Sequence, residues 1–419
     1  MSGSFDRILT THTGSLIRPP EVRELLDAIE QGAPPDDRTQ ARILAGAVAR
    51  VVRQQAEAGL DIVNDGELGK ISWIAYLYDR ISGIEARKLP PGTPVWPPSR
   101  DRQAFPEFYA DEDRRYAEQA NRAAGRGGSG RRAGRFGLEQ WVCVEPIRYT
   151  GLSTLERDIA NLKQALAGAP VAGGFLTAVA PASVYWLRNE YYKSEEAFVF
   201  ALADALRTEY RTIVDAGLFL QVDDAVLAHE YDSVLARGGS VEDYRRWAAL
   251  RLEALKHALE GVPAERVRYH ICFGSWHGPH AYDPPLGDII DLVLQVPARY
   301  YLIEQANPRH EHEWRLWERV KLPDDKVLVP GVVTHHTNVV EHPELVAERL
   351  TRLARLVGRE RVMGGTDCGF AQRARVERVH PSIQWAKLRS LAEGARIARR
   401  ALWSAPLSRQ AAKLEREAR

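Results

Sequence analysis

The chain has 419 residues, 45% of them hydrophobic, and a formal net charge of +1, a size that suits one large barrel or two ordinary domains. No basic stripe with interleaved aromatics is present, which argues against nucleic acid as a partner, and no apolar run reaches the roughly 18 residues of a membrane span. Three cysteines do not make a disulfide framework, and the first residues lack the charged and apolar regions of a signal peptide, so a reducing cytoplasm with thiols free for metal is expected.

Residues 7–12 read as a short buried strand running into the turn Thr13-Gly14-Ser15. Helical spacing follows over 21–31 and 39–58, the second stopped by Gly59. A second strand over 60–65 carries Gly66-Glu67 at its carboxyl end. From about 88 to 140 the composition shifts to Pro-Pro segments and a Gly/Arg-rich loop at 125–132, with a helix expected over 111–124. This stretch reads as an insertion over one face of the fold, either a lid or a tolerated surface excursion.

Beyond it, strands are expected at 142–145, 174–179, 218–224, 266–272, 300–304, 326–332 and 361–365. Helices are expected at 155–167, 194–216, 241–259, 288–294, 343–357 and 384–402. The alternation is that of an α/β fold with parallel strands. Nine strand candidates are one too many for an eight-stranded barrel, and 142–145, beside the insertion, is the least secure.

The position of the polar residues selects the architecture. Ser15, Glu67, Asp223, His270, Cys272, Glu304, His336 and Cys368 all lie at or just past carboxyl ends of strand candidates. In a (β/α)8 TIM barrel those ends form one rim, which carries the active site. A doubly wound sheet would concentrate function at one switch point instead. The expected fold is therefore a single (β/α)8 barrel over 1–419, with the 88–140 insertion inside it.

In the strand Arg268-Tyr269-His270-Ile271-Cys272, alternation puts an imidazole and a thiol on one face, a pair suited to zinc. Glu304 and Cys368, each at another strand end, complete a four-ligand Zn2+ site of His270, Cys272, Glu304 and Cys368. Two thiolates together with the carboxylate make such a centre thiolate-rich and, with Zn2+ bound, net negative, which keeps a coordinated substrate thiolate nucleophilic toward carbon; hydrolytic zinc usually has imidazole and carboxylate ligands. Cys143 reads as core packing. His310 and His312 read as surface or pocket-rim residues, and His277 and His280 as pocket-shaping or helix-capping residues, with a ligand role for either as the alternative.

With these residues in place the chain resembles the catalytic barrel of the cobalamin-independent methionine synthase family and its single-barrel relatives, a fold shared with uroporphyrinogen decarboxylase. The resemblance rests on Thr10-Thr11-His12-Thr13-Gly14-Ser15, Gly66-Glu67, Leu220-Gln221-Val222-Asp223, His270-x-Cys272, Glu304, His336 and Asp367-Cys368-Gly369. It implies that Thr13, Gly14 and Ser15 bind the carboxylate of an amino-acid thiol and that Glu67 and Asp223 bind its ammonium group. It implies further that His336 protonates or orients the leaving group, and that Thr177 and Trp186 line the donor pocket. The partners implied are a small-molecule thiol acceptor and a methyl or alkyl donor.

Departures are visible. Asp223-Asp224-Ala225 stands where the family has Asp-Glu-Pro, Ile17 replaces a usual Pro, and the second barrel of the full-length enzymes is missing. Gly278-Pro279-His280, Ala306-Asn307-Pro308-Arg309 and Glu341-His342-Pro343-Glu344 look closer to the single-barrel branch, which resembles the epoxyalkane:coenzyme M transferases. Two alternatives to methyl transfer therefore stand beside it: opening of an epoxide by a zinc-bound thiolate, and a metal-free decarboxylase on the same fold.

Overall fold

A computed structural model describes residues 7–89, 93, 96–124 and 139–403. Seven parallel strands lie in the order Ile62–Asn64, Gly173–Val179, Phe219–Asp224, Val267–Ile271, Tyr300–Ile303, Val327–Val333 and Gly365–Thr366. Residues 9–11 close the two edges. Thr10 pairs in parallel with Gly364, and Thr11 N–H donates to Gly364 O at 2.9 Å. On the other side the N–H groups of Asp61 and Ile62 both donate to Thr10 O at 3.0 Å. With this eighth strand the sheet closes into the expected (β/α)8 barrel.

Alternation along each strand divides the apolar residues into two clusters. Leu9, Ile62, Phe175, Phe219, Tyr300, Leu302, Val327, Val329 and Met363 form a small cluster with members from six of the eight strands and, in Met363, from the residues leading into a seventh, which is the barrel interior. Val267, Tyr269, Ile271, Tyr301 and Ile303 belong to the larger cluster beneath the helices. The remaining strand contributes Arg268 to the interior, stacked on the Phe175 ring at 3.8 Å. Its guanidinium donates to Thr11 Oγ1, His12 O and Gln221 Oε1, each at 2.9 Å. Burial pushes this guanidinium down to about 9. These bonds tie residues 11–12 to strands across the barrel. The same alternation sends His270 and Cys272 inward above Arg268, and Glu304 inward above Tyr300 and Leu302.

The helices follow the spacing of their apolar residues. Glu195–Asp215 buries Phe198, Leu202, Leu206, Tyr210 and Ile213, and Ser194 caps it by accepting from Ala197 N–H. The last helix, Pro381–Trp403, packs on Pro343–Val357, where a Cβ on Gly394 would lie 2.4 Å from Val346. Among the described residues no helix is long and apolar enough to cross a membrane.

The ninth strand candidate has another home. Residues 142–145 fall within Glu139–Tyr149, which pairs antiparallel with Ile81–Lys88 and in parallel with Leu187–Asn189. This three-stranded sheet stands apart from the barrel, and Cys143 packs in it, fully buried, as expected. The paired strands Ile81–Lys88 and Glu139–Tyr149 thus flank the expected 88–140 excursion. Its helix runs Pro106–Ala124, five residues earlier than expected, behind a short helix Arg100–Ala104. The expected loop at 125–132 lies outside the described residues.

Arg268 supplies the fold prediction. Arg268→Met removes the bonds to Thr11 Oγ1 and His12 O and leaves the buried Gln221 Oε1 without a donor, and we expect a loss of about 3 kcal/mol in urea denaturation, since a hydrogen bond to a charged group contributes roughly 1.5–3 kcal/mol. A loss below about 1 kcal/mol would show that the interior does not depend on it.

Candidate metal centre

His270, Cys272 and Cys368 meet at the carboxyl end of the barrel, with their ligand atoms all within 4.8 Å of one another and all three side chains buried. The two sulfurs are 3.7 Å apart. That is too long for a disulfide, whose sulfurs lie about 2.05 Å apart. It matches the roughly 3.8 Å that two Zn–S bonds of about 2.3 Å give at a tetrahedral angle. Both ring nitrogens of His270 are buried and neither meets hydrogen-bond geometry with a partner, the Cys368 sulfur being the polar group that acts on the ring most strongly. An imidazole seldom stays unpaired in a dry interior unless something else takes its lone pair. The donor set and spacing thus fit zinc.

The protonation pattern is that of a pair sharing one proton. The hydrogen bond with Cys272, then His270, hold Cys368 well below the usual thiol value against the effect of burial. The bond with Cys368 and burial push Cys272 well above it. Burial pulls His270 down, but Cys368 and Asp223 outweigh it and the imidazole ends above its usual value.

Glu304 is not gathered into that three-residue set. It is buried next door, where its Oε1 accepts from Phe273 N–H at 3.1 Å and its Oε2 from Asn307 Nδ2 at 3.0 Å. Burial, and then the charges of Asp367 and Cys368, push its carboxyl well up. Asp367, which composition did not single out, holds this turn in place. Its Oδ1 accepts from Gln305 and Ala306 N–H at 2.9 Å, and its Oδ2 from Asn307 Nδ2 at 3.3 Å. Gly331 makes room for it, because a Cβ there would lie 2.0 Å from Asp367 Oδ1.

A second group sits on the first strands. Gly14 has φ +136°, and a Cβ on it would lie 2.6 Å from Glu67 Oε1 and 2.8 Å from Thr177 Cγ2, so only glycine fits. Thr177 Oγ1 donates to Glu67 Oε1 at 3.0 Å, and Lys70 Nζ donates to Thr177 Oγ1 at 2.7 Å. Glu67 itself takes the left-handed region at φ 55°, and its Oε2 is buried without a partner. Asp223, opposite His270 in the strand register, accepts from Gln221 Nε2 at 2.8 Å. Burial pushes it up to about 7, against His270, with the charge of Glu67 adding to the rise. Two carboxylates thus lie near enough to act on each other, and one oxygen of Glu67 is left unpaired.

Ser15 reaches the metal side: its carbonyl accepts from Phe370 N–H at 2.8 Å, and a Cβ on Gly369 would lie 2.1 Å from its Oγ. Thr13 commits its hydroxyl to Thr366 O at 2.9 Å. Trp186 packs against Trp73 and Tyr185 and is not among the walls of the cavity described next.

That cavity, about 310 Å³, is lined by Phe273, Trp276, Glu304, Asn307, His335 and His336 among others; Glu304 is the one member of the expected four-ligand set in its wall. His336 faces His277 at 6.0 Å between ring centroids and His335 at 4.8 Å. Burial, then His277 and His280, push His336 down to about 4, so it is neutral at pH 7. His335 is buried with both nitrogens unpartnered; its place beside His336 at a strand end was the available signal. His310 is a buried wall residue rather than a surface one, bonded to Glu313 and Asp283, whereas His312 is exposed.

The insertion reaches this wall. Asp101 accepts from the N–H groups of His280 and Ala281 and from Tyr109 OH, and Tyr109 OH accepts from Trp276 Nε1 at 3.2 Å. The carboxylate also steadies His280 at φ 53°.

Residues 149–388 match the family model described as cobalamin-independent synthase, catalytic domain, and the chain belongs to that family. It is 24% identical to a methionine synthase of Thermococcus kodakarensis over 394 residues, 94% of each chain. It is 25% identical to a 2-hydroxypropyl-CoM lyase of Xanthobacter autotrophicus over 402 residues, 87% of this chain and 88% of that one. In fold it is similar to a B12-independent methionine synthase from a Shewanella species in complex with selenomethionine. That match has TM-score 0.68 at 19% identity and covers 95% of this chain and all of the other.

Metal analysis tests the centre. The purified chain is expected to hold one zinc ion, and Cys272→Ser and Cys368→Ser each to lose most of it while keeping the far-UV circular dichroism of the parent. Zinc must displace the proton that Cys272 retains, so its apparent affinity should fall as pH falls. Zinc content unchanged in both variants would refute the assignment.

Proposed function

We propose that this member of the cobalamin-independent synthase catalytic-domain family is a zinc-dependent alkyltransferase that methylates a thiol, homocysteine or a close analogue. The observation that carries the reading is the pair of sulfurs 3.7 Å apart beside an unpartnered imidazole. His270, Cys272 and Cys368 would hold the ion, with Glu304 as the adjacent fourth donor. Bound there, zinc supplies a Lewis acid that keeps a coordinated thiol deprotonated at neutral pH.

The chain's own residues supply the rest. Glu67 and Asp223 receive the ammonium group of an amino-acid thiol, Asp223 being oriented by Gln221 and Glu67 by Thr177. Ser15, joined to the Cys368 turn through Phe370, presents the carboxylate end of that seat. As the sulfur–carbon bond forms, the donor's bond to the same carbon breaks and its electron pair stays on the leaving atom. His336, neutral and half-buried at the cavity, offers its N–H to that atom. The buried wall around Phe273 limits water near the sulfur.

A second reading keeps the thiolate and replaces the methyl donor with an epoxide. The small, imidazole-lined cavity and the relative named 2-hydroxypropyl-CoM lyase favour it. A metal-free decarboxylase leaves the two sulfurs and the unpaired imidazole without a use.

The test is turnover by zinc-loaded protein. Homocysteine with a methyl-folate or methyl-cobalamin donor should give methionine, and Glu67→Gln should raise KM for homocysteine by roughly tenfold or more through loss of a charge-assisted contact. Thioether formation from coenzyme M and an epoxide, with no methionine from any donor, would replace the first reading with the second. Neither product would end both.

A further inference from the structure

His310 takes no part in the chemistry set out above, yet it stands behind the one carboxylate of the expected ligand set. Its ring lies against that of Phe273, with 3.9 Å between centroids. Its backbone N–H donates to Asn307 Oδ1 at 3.1 Å, as does that of Arg309. An amide whose oxygen accepts two backbone N–H groups has its Nδ2 left to face the other way, and here it faces Glu304. Phe273 N–H and Asn307 Nδ2 are the donors that hold Glu304, so His310 supports both of them.

The His310 ring is itself held from two sides. Its Nδ1 meets Glu313 Oε2 at 2.9 Å and its Nε2 meets Asp283 Oδ2 at 3.2 Å. The same Asp283 oxygen meets His280 Nδ1 at 3.0 Å, and His280 Nε2 meets Trp276 O at 3.1 Å. Every ring nitrogen of the pair thus faces an acceptor, which calls for a proton on each and makes both rings imidazolium. Burial pulls His310 down, but its bonds to Asp283 and Glu313 outweigh that and push it up to about 9. Burial raises Asp283, and the bonds from His280 and His310 carry it below its usual range. His280, Asp283, His310 and Glu313 therefore form one ladder of charge-assisted bonds, and the first three line the cavity.

The far end of the ladder is tied to the insertion. Asp101 accepts from the N–H groups of His280 and Ala281 at 3.0 and 2.9 Å. A continuous set of contacts therefore runs from Asp101 through His280, Asp283 and His310 to the two donors on Glu304.

We propose that His310 is a positioning residue for the metal centre: the ladder sets Glu304 as the fourth donor, and through His280 it makes that setting depend on Asp101 of the insertion. This rests on the zinc reading above and adds to it residues that act through Glu304 rather than on the reacting atoms. A ladder that only stiffened the cavity wall would leave Glu304 indifferent to its loss.

Competition titrations with cobalt(II) in place of zinc test this, the sulfur-to-cobalt charge-transfer band showing that the thiolates are bound and the centre is folded. His310→Gln should weaken cobalt binding about 10- to 100-fold, the usual cost of disturbing the partner of a ligand, and Glu304→Gln should weaken it at least as much. The double variant should bind no more weakly than Glu304→Gln alone, because His310 acts through that carboxylate. The visible d–d bands of His310→Gln should move from the parent spectrum toward that of Glu304→Gln. Asp101→Asn should show the same movement and the same lack of additivity. If His310→Gln does not fold, His310→Phe, which keeps a ring against Phe273 and removes the ladder bonds, runs through the same cycle. Losses that add in full, or a His310→Gln or Glu304→Gln that binds as tightly as the parent, would overturn the proposal and leave the metal centre standing. Asp101→Asn indistinguishable from the parent would overturn the part given to the insertion. A parent without the charge-transfer band would overturn the zinc reading and the proposal together.

Discussion

Cys272 and Cys368 lie 96 positions apart in the chain, and their sulfurs are 3.7 Å apart in space. Everything else at the rim depends on that approach. The sulfurs follow non-adjacent strands, so the approach needs a closed, strongly curved sheet. Closure comes from residues 9–11 hydrogen-bonding to both edges, with Arg268 holding Thr11 and His12 from inside. Above Arg268 the interior changes from apolar to residues that could hold a metal, because the same inward face continues through His270 to Cys272. Asp367 then holds the turn after Ile303 beside Cys368, which Gly331 permits.

Around this pair the buried charges are divided by side. Glu67 and Asp223 form an acidic seat toward the first strands, with Lys70 behind it through Thr177. Imidazoles crowd the cavity side, where burial and mutual repulsion keep His335 and His336 neutral. With an acceptor's sulfur at the centre and its ammonium in the acidic seat, a donor whose reacting carbon approached from the cavity side would therefore meet neutral imidazoles. The insertion adds to this through Asp101 and Tyr109, which fix the backbone at His280 and the indole of Trp276. It braces residues of the cavity wall without lining the cavity itself, which is compatible with either sequence reading of it.

Much of this was legible in the sequence because strand alternation is a local rule. Once Val267–Ile271 is a strand, His270 and Cys272 must share a face, and Gly14 and Gly66-Glu67 mark turns at strand ends. What was not legible depends on distant partners. Residues 142–145 have a strand's composition, but nothing local says which sheet they join. Gly365–Thr366 is two residues long and owes its place to neighbours. Glu304 stands at the right strand end, yet Phe273 and Asn307 hold its oxygens, which spacing could not reveal. The bonds from Asp101 to His280, 179 positions away, lie beyond any periodicity.

The central claim is that two cysteines and a histidine hold zinc in a way that leaves room for a substrate sulfur. X-ray absorption at the zinc edge, on metal-loaded protein before and after homocysteine, tests it most directly. The account predicts two sulfurs at about 2.3 Å with nitrogen or oxygen neighbours, and three sulfurs once the thiol is added. A sulfur count that does not rise with homocysteine or with any other thiol, or a zinc ion bound by nitrogen and oxygen alone, would contradict it.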